Sequence, residues 1–268
     1  MKTDAQKGQT LVRGLDIIEA VAHGASSIQE VAVATALTYP TVHRLVSVLI
    51  DQGYLRAGET RGLSLGRKLM ELGFAAHARI DLVQEARPIL QALSNATRDT
   101  VHLAQRDGLE VVYLDKLPGA RAVQISSRIG GRKPVISTGV GKALLLDDAP
   151  AQWAEIYDID GHRLPEAIDK AQWLAMMQGY HAKGFAYDLG EDEYVIRCVS
   201  APLRDASGRI VAAISVSSTL DNMPQERMLT LIQVVMRAAE DISSILGYRF
   251  GATAGLATTP NSGGTDGL

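Results

Sequence analysis

Cysteine is nearly absent: Cys198 is the only one in 268 residues, so no intrachain disulfide can form. That usage fits a reducing compartment, and the expected location is the cytoplasm. One cysteine and six scattered histidines give no zinc-ligand spacing, and no metal or other cofactor is expected. No run of about 18 apolar residues occurs, so no membrane span is expected. The N-terminal stretch Met1 to Lys7 has no apolar core behind its lysines and does not read as a secretory signal. Ser-x-x-Lys and Gly-x-Ser-x-Gly motifs are missing as well, which removes the common serine-nucleophile signatures. The chain also lacks a basic excess. Its net charge is −3, which looks wrong for a nucleic-acid partner until it is divided. Residues 1–68 hold eight basic and six acidic side chains, a net of +2, so the acidity lies in the rest of the chain. A charge of +2 is modest for phosphate binding, and two such modules in a dimer would strengthen it.

What is present is a folded composition, 46% hydrophobic and 21% charged, in a chain long enough for two domains. Residues 27–65 organise the first. Ser27 followed by Glu30 is a capping-box spacing that opens a helix. That helix should stop at Thr35-Ala36-Leu37-Thr38, a turn short enough to set the next helix steeply across it. Thr38 is a suitable N-cap for the second helix and Pro40 is tolerated in its first turn. Val42, Leu45, Val46 and Leu49 recur at helical spacing and should point inward. Tyr39, Thr41, His43, Arg44 and Ser47 then face outward, where a helix lying in a major groove meets base edges and phosphates. Gly53 suits a left-handed helix end. Tyr54 to Ala57 and Gly62 to Leu65 read as two short strands joined by a polar tip at 58–61, a wing on which Arg56 and Arg61 could touch phosphate. A small helical core with an incidental hairpin is the bland alternative.

The flanking chain reads as follows. Residues 1–9 are a polar arm. Leu11, Leu15, Ile17, Ile18, Val21 and Ala22 mark an amphipathic helix. Residues 66–79 form a helical connector. A helix over Leu82 to Thr97 should start late or kink at Pro88. Strands are expected at Thr100 to Gln105, Val111 to Lys116, Ala122 to Ser127, Phe185 to Tyr187, Ile196 to Ala201 and Ile210 to Ser217. Helices are expected at Lys142 to Leu146, Ala151 to Ile156, Ile168 to Lys183 and Gln225 to Leu246. In the last of these, Met228, Leu229, Ile232, Val235, Met236 and Ala239 form the buried face. Residues 251–268 are rich in Gly, Thr and Ser and read as disordered.

The loop Ser137-Thr138-Gly139-Val140-Gly141 precedes a helix, so the amides of Gly139 and Val140 could hold an anion. A tight turn alone would also explain the glycines. Strand alternation puts Val211, Ala213, Ser215 and Ser217 on one face, and two buried serines need partners. A bound ligand or ordered water could supply them, and a solvent-facing edge is the alternative.

The motifs Pro40-Thr41-Val42-His43-Arg44-Leu45, Gln52-Gly53-Tyr54-Leu55, Arg128 to Pro134, Thr138 to Leu145, Lys183 to Ala186, Cys198 to Leu203 and Ala213 to Ser217 occur in an order and spacing that resembles the isocitrate lyase regulator (IclR) family of bacterial transcription factors, over roughly residues 9–248. The resemblance implies an α+β protein: a winged helix-turn-helix at 9–65, a helical linker at 66–82, and a GAF-like effector domain with an antiparallel sheet at 83–249, followed by a tail at 250–268. It implies a repressor or activator of a catabolic operon, a homodimer or tetramer binding double-stranded operator DNA, and a small-molecule effector. A carboxylate is the effector expected, held by Thr138, Gly139, Val140, Ser215 and Ser217. The family pattern adds Cys198 and Asp188 to that pocket. The rest of the run Asp188 to Glu193 reads as solvated loop. The family often carries serine where this chain has Pro40, so a contact from that position is absent. The competing class is an enzyme using Cys198, against which stands the absence of a vicinal cysteine or neighbouring histidine.

Overall fold

A computed structural model describes residues 5–58, 62–77, 80–121, 125–165 and 167–249. The chain divides between Ile80 and Asp81 into two compact units.

In the first unit, α1 (Ala5–Ala22) precedes α2 (Ile28–Thr35) and α3 (Tyr39–Asp51). The expected polar arm is therefore already helical from Ala5. The capping box forms as read: Ser27 Oγ accepts the Glu30 amide at 3.2 Å while the Glu30 carboxylate takes the Ser27 amide. Ala36 closes α2 in the left-handed region, φ 52°, and the axis then turns through 112° into α3. Thr38 precedes α3 without capping it; its hydroxyl instead meets the Thr41 hydroxyl at 2.9 Å. Val42, Leu45 and Val46 bury against Ile17, Ala20, Val21, Val31 and Leu55 to make a small closed core. Strands β1 (Leu55–Gly58) and β2 (Gly62–Leu65) pair antiparallel. Gly62 sits at φ 63°, where a β-carbon would lie 2.2 Å from the Ser26 carbonyl oxygen. Only glycine allows that approach, and it lets the Leu63 amide donate to the same oxygen at 2.7 Å, tying the hairpin to the start of α2. Helix α4 (Arg67–His77) completes the unit.

The second unit opens with α5 (Leu82–Thr97), which is neither late nor interrupted at Pro88. Asp81 accordingly accepts the amides of Val83 and Gln84, offsetting the hydrogen bond that proline removes. Six antiparallel strands follow: β3 (Thr100–Asp107), β4 (Glu110–Leu117), β5 (Arg132–Pro134), β6 (Ala186–Asp188), β7 (Ile196–Arg204) and β8 (Ile210–Thr219), in the order β5-β4-β3-β8-β7-β6. Of the strand expected at Ala122 to Ser127, residues 125–127 are irregular and 122–124 lie outside the described residues; the strand that pairs with the outer edge of β4 is β5. Helices α6 (Gly139–Leu144), α7 (Pro150–Asp160) and α8 (Lys170–Lys183) lie between β5 and β6, and α9 (Gln225–Ile245) closes the unit. Helices α5 and α9 pack together and against the sheet. Leu229 faces solvent rather than the core, and Leu231, Ala238 and Ile242 join the buried face of α9 instead. The other sheet face, with α6 to α8, holds a core built on Trp153, Trp173, Met177 and Leu145.

Candidate functional site

Two surfaces carry the residues singled out above. On α3, Tyr39, His43, Arg44 and Ser47 are exposed and Thr41 is half-buried. The rings of Tyr39 and His43, one helical turn apart, lie 6.3 Å from each other. Ser27 and Thr38 are exposed at the starts of α2 and α3. On the wing, Arg56 Nε donates to Ser64 Oγ at 2.8 Å across the hairpin, which holds the guanidinium on the strand's outer side. Arg61 lies outside the described residues, as does the tail at 250–268. An open apolar groove runs between α1 and α3, lined by Leu11, Leu15, Ile18, Leu45, Val48 and Leu49. Leu11 (67%), Leu15 (52%) and Val48 (51%) are open to solvent, an unusual cost for a helix face unless it is covered.

The second site is a cavity of about 400 Å³, mouth included, between the sheet and α6. Strand register builds its floor. Thr100 stands opposite Ser217, Ser217 opposite Cys198, and Cys198 opposite Asp188; one row on, His102 stands opposite Ser215 and Ser215 opposite Ser200. Polar side chains from four strands thus share one face. The first turn of α6 forms the roof. Thr138, Gly139, Val140, Asp188, Cys198, Ser215 and Ser217 all line this one cavity. The helix begins three residues earlier than expected, so Gly139 to Gly141 are helical rather than loop. Thr138 Oγ1 caps the Gly141 amide at 3.1 Å. The amides of Gly139 and Val140 are the first two of the helix and have no partner within it.

The serines are not at a solvent edge: Ser215 is 2% exposed and Ser217 5%. Their partner is His102, which sequence reasoning passed over. Its Nδ1 lies 3.3 Å from both serine hydroxyls, the hydroxyls are 3.2 Å apart, and its Nε2 meets Ser127 Oγ at 2.7 Å. Lys116 fixes Ser127 by donating to the carbonyls of Ile125 and Ser127 at 2.6 Å each. Burial, with Lys116 adding to it, lowers the His102 pKa to about 3, so the ring is neutral with one donor and one acceptor nitrogen. The signal was available: His102 alternates with Val101 and Leu103 in a strand, and a polar group at an inward position needs a partner.

Electrostatics explain the acidic run, which is not a solvated loop. Glu191 is buried and pairs with the fully buried Lys142 at 2.8 Å. Lys133 holds Asp192 and Glu193 at 3.0 Å each. Asp188 accepts the amides of Gly190 and Glu191 at 2.9 Å. Burial raises its pKa to about 8 against the opposing pull of Lys142, and its contact with Glu191 adds to the rise, whereas Lys142 holds Glu191 below its ordinary value. The proton of this carboxyl pair therefore sits on Asp188 at neutral pH. Cys198 is buried, 3.5 Å from Ser200 Oγ, and burial with Asp188 beside it pushes its thiol up to about 12. It stays a thiol at neutral pH, which removes the nucleophile that cysteine chemistry needs. No single helix among the described residues is long and apolar enough to cross a membrane.

A family model described as the IclR helix-turn-helix domain matches residues 10–59, and one described as the bacterial transcriptional regulator IclR C-terminal matches residues 74–244. The chain is 29% identical over 225 residues to the HTH-type transcriptional regulator KdgR of Escherichia coli, covering 82% of this chain and 86% of KdgR. It is 29% identical over 246 residues to XynR of the same organism, covering 90% and 98%. It is 27% identical over 252 residues to the HTH-type transcriptional repressor AllR, also of Escherichia coli, covering 91% and 93%. Among solved structures, the Agobacterium tumefaciens repressor BlcR superposes with a TM-score of 0.73 at 25% identity, covering 90% of this chain and 98% of that one. The Thermotoga maritima IclR gives 0.59 at 26% identity, covering 90% and 99%.

Proposed function

The chain belongs to the IclR family of bacterial transcriptional regulators and is a DNA-binding regulator rather than an enzyme; from that premise we propose that it controls a catabolic operon, as repressor or activator, in response to a small organic acid. Operator DNA is read by α3, with Arg44 and Thr41 at base edges and Tyr39, His43 and Ser47 beside them. Arg56 and Arg61 on the wing, and Ser27 and Thr38 at the helix starts, take backbone phosphate. The working form is a homodimer or a tetramer. The open apolar groove between α1 and α3 and the exposed Met70, Leu72 and Phe74 of α4 are the surfaces that pairing would cover.

The observation that carries the effector assignment is the convergence of Thr138, Gly139, Val140, Asp188, Cys198, Ser215 and Ser217 on one cavity. The ligand carboxylate lies at the amides of Gly139 and Val140, at the positive end of α6. An ionised Asp188 would repel it and a protonated one does not, and the raised pKa supports the second state. Ligand occupancy reaches the DNA-binding unit through the connector at 66–79, and it does so only to the extent that the ligand binds two arrangements of the dimer unequally. A coupling of about 1–3 kcal/mol changes operator affinity roughly 5- to 150-fold. The test is retention on duplex DNA as salt and organic acids are varied: binding should weaken steeply with salt and shift with one acid. Binding indifferent to both would refute the proposal.

A further inference from the structure

Helix α5 ends on an arginine where glycine is the favoured residue. Arg98 closes it in the left-handed region, φ 63°, its amide donating to the Ser94 carbonyl at 2.8 Å. Helix α8 ends in the same way, amide to the Tyr180 carbonyl at 2.8 Å, but on Gly184 at φ 75°. Glycine takes that conformation freely, whereas a β-carbon crowds the neighbouring carbonyl oxygen. Among the described residues, Ala36 and Arg98 are the non-glycine positions held at positive φ. Arg98 is exposed, so packing does not account for a large side chain there. A residue kept in a costly conformation argues for a role of its side chain.

Arg98 lines a small cleft where β3 begins and β8 ends, together with Asp99, Thr100, Arg121, Ser218 and Asn222. One buried carboxylate serves this corner. Asp99 accepts Arg121 Nε at 2.6 Å and pairs with Arg227 as well. Arg227 is fully engaged, since it also donates to the carbonyls of Thr97 and Asn222. Arg121 is not: beyond Asp99 it meets the Asn222 side chain at 3.1 Å and stays 30% exposed. Arg197 stands opposite Ser218 across the strand register, and its Nε is the buried side-chain atom left without a partner among the described residues. Neither Arg98 nor Arg197 has a carboxylate partner among those residues. Asp221 and Glu226, the acidic side chains nearest Asn222 in sequence, are open to solvent. Four guanidinium groups thus gather about one buried carboxylate, in a unit whose sequence carries 18 basic against 23 acidic side chains. Like charges held together repel, and a bound anion offsets that repulsion.

We propose that this cleft is a second ligand site, for a phosphate group held by Arg98 and Arg121. Arg98 comes from a helix end, Arg121 from the loop after β4, and Thr100 and Ser218 from two strands. Donors arriving from several directions suit a tetrahedral oxyanion better than a planar carboxylate, and the excess positive charge suits a dianion. The site is separate from the cavity beneath α6 and does not depend on what fills that cavity. The two are neighbours, because Ile125 and Ser217 line both.

The test titrates the full chain with inorganic phosphate and with glycerol 3-phosphate, by calorimetry at an ionic strength fixed with chloride. One saturable site per chain should appear. The tighter of the two probes tells whether the source is the free ion or a phosphomonoester. Arg98→Gly should melt at the same or a higher temperature without phosphate, because glycine suits φ 63°, and should weaken phosphate about tenfold. Arg44→Ala and Arg56→Ala, on the DNA-binding unit, should leave phosphate affinity unchanged. Three results overturn the proposal: no binding beyond that of chloride, undiminished binding in Arg98→Gly, or loss of binding in Arg44→Ala or Arg56→Ala. A lower melting temperature in Arg98→Gly overturns it as well, since Arg98 would then serve the fold alone.

Discussion

A β-carbon placed on Gly139 would lie 2.4 Å from the Cys198 sulfur and 2.6 Å from Ser200 Oγ. The first residue of α6 is thus pressed onto the sheet where β7 passes beneath it, and its amide is delivered to the cavity because nothing separates helix from strand. Gly139→Ala is expected to lower the melting temperature and weaken effector response together. Adding Cys198→Ala and Ser200→Ala removes both clashing atoms, so the triple variant should recover much of the loss. Additive destabilisation of the three changes, measured by thermal unfolding, would show that the contact is not the cause.

Asp188 gives a pH dependence with a definite sign. An unfolded aspartate releases its proton near 3.8, and the folded one keeps it to about 8. Between those values the folded state binds more protons, so this group makes stability fall as pH rises from about 4 to 8 and adds nothing further above that. Burial sets it first, against the pull of Lys142 on α6, with Glu191 in the loop adding to the rise and the Gly190 amide opposing it. Asp188→Asn keeps the acceptor for the Gly190 and Glu191 amides and cannot ionise. Its melting temperature should gain on the parent's between pH 5 and 8. Acid binding by the parent should weaken as pH passes 8, and binding by the variant should not. Parallel curves for parent and variant would contradict the protonated Asp188.

Arg44→Ala should cost about 1–3 kcal/mol of operator binding and relax preference at one base position, as expected for a base-edge contact. Arg56→Ala should weaken binding evenly across sequences and reduce the salt slope by about 1. Titrations by fluorescence anisotropy at several salt concentrations separate the two. An Arg44→Ala protein that keeps both affinity and preference removes α3 from its assigned role.

Leu15 lies in the open groove with Leu11 and Val48, and a charge there should prevent the groove from being covered. Leu15→Glu is expected to shift the protein toward monomer in light scattering at micromolar concentration and to weaken operator binding, since two half-sites would no longer be held by one body. An unchanged oligomer places the pairing surface elsewhere.

Much of this is legible in the chain itself. The capping box at Ser27 and Glu30 and the inward spacing of Val42, Leu45 and Val46 are local patterns, and local patterns survive folding. The alternation of Ser215 and Ser217 tells which face they share but not what lies opposite. That depends on β3 pairing with β8 across more than a hundred residues, which brings His102 to the serines. The acidic run misleads for the same reason: a charge count cannot see Lys142 and Lys133, the partners that turn Glu191, Asp192 and Glu193 from solvated residues into a paired wall. The strand expected at Ala122 to Ser127 has the right composition. The three residues of β5 occupy the place at the edge of β4, and Lys116 holds Ile125 and Ser127 by their carbonyls beside His102 instead.

The central claim is that the cavity beneath α6 controls DNA binding. The direct measurement is the affinity of the full chain for the duplex it selects from a random-sequence pool, with and without the acid that binds it most tightly, in the parent and in Ser215→Ala and Ser217→Ala. The account predicts an affinity shift of roughly 5- to 150-fold in the parent that shrinks toward unity in both variants, with their acid-free affinity unchanged. An equal shift in all three proteins, or none in the parent at saturating acid, would contradict it.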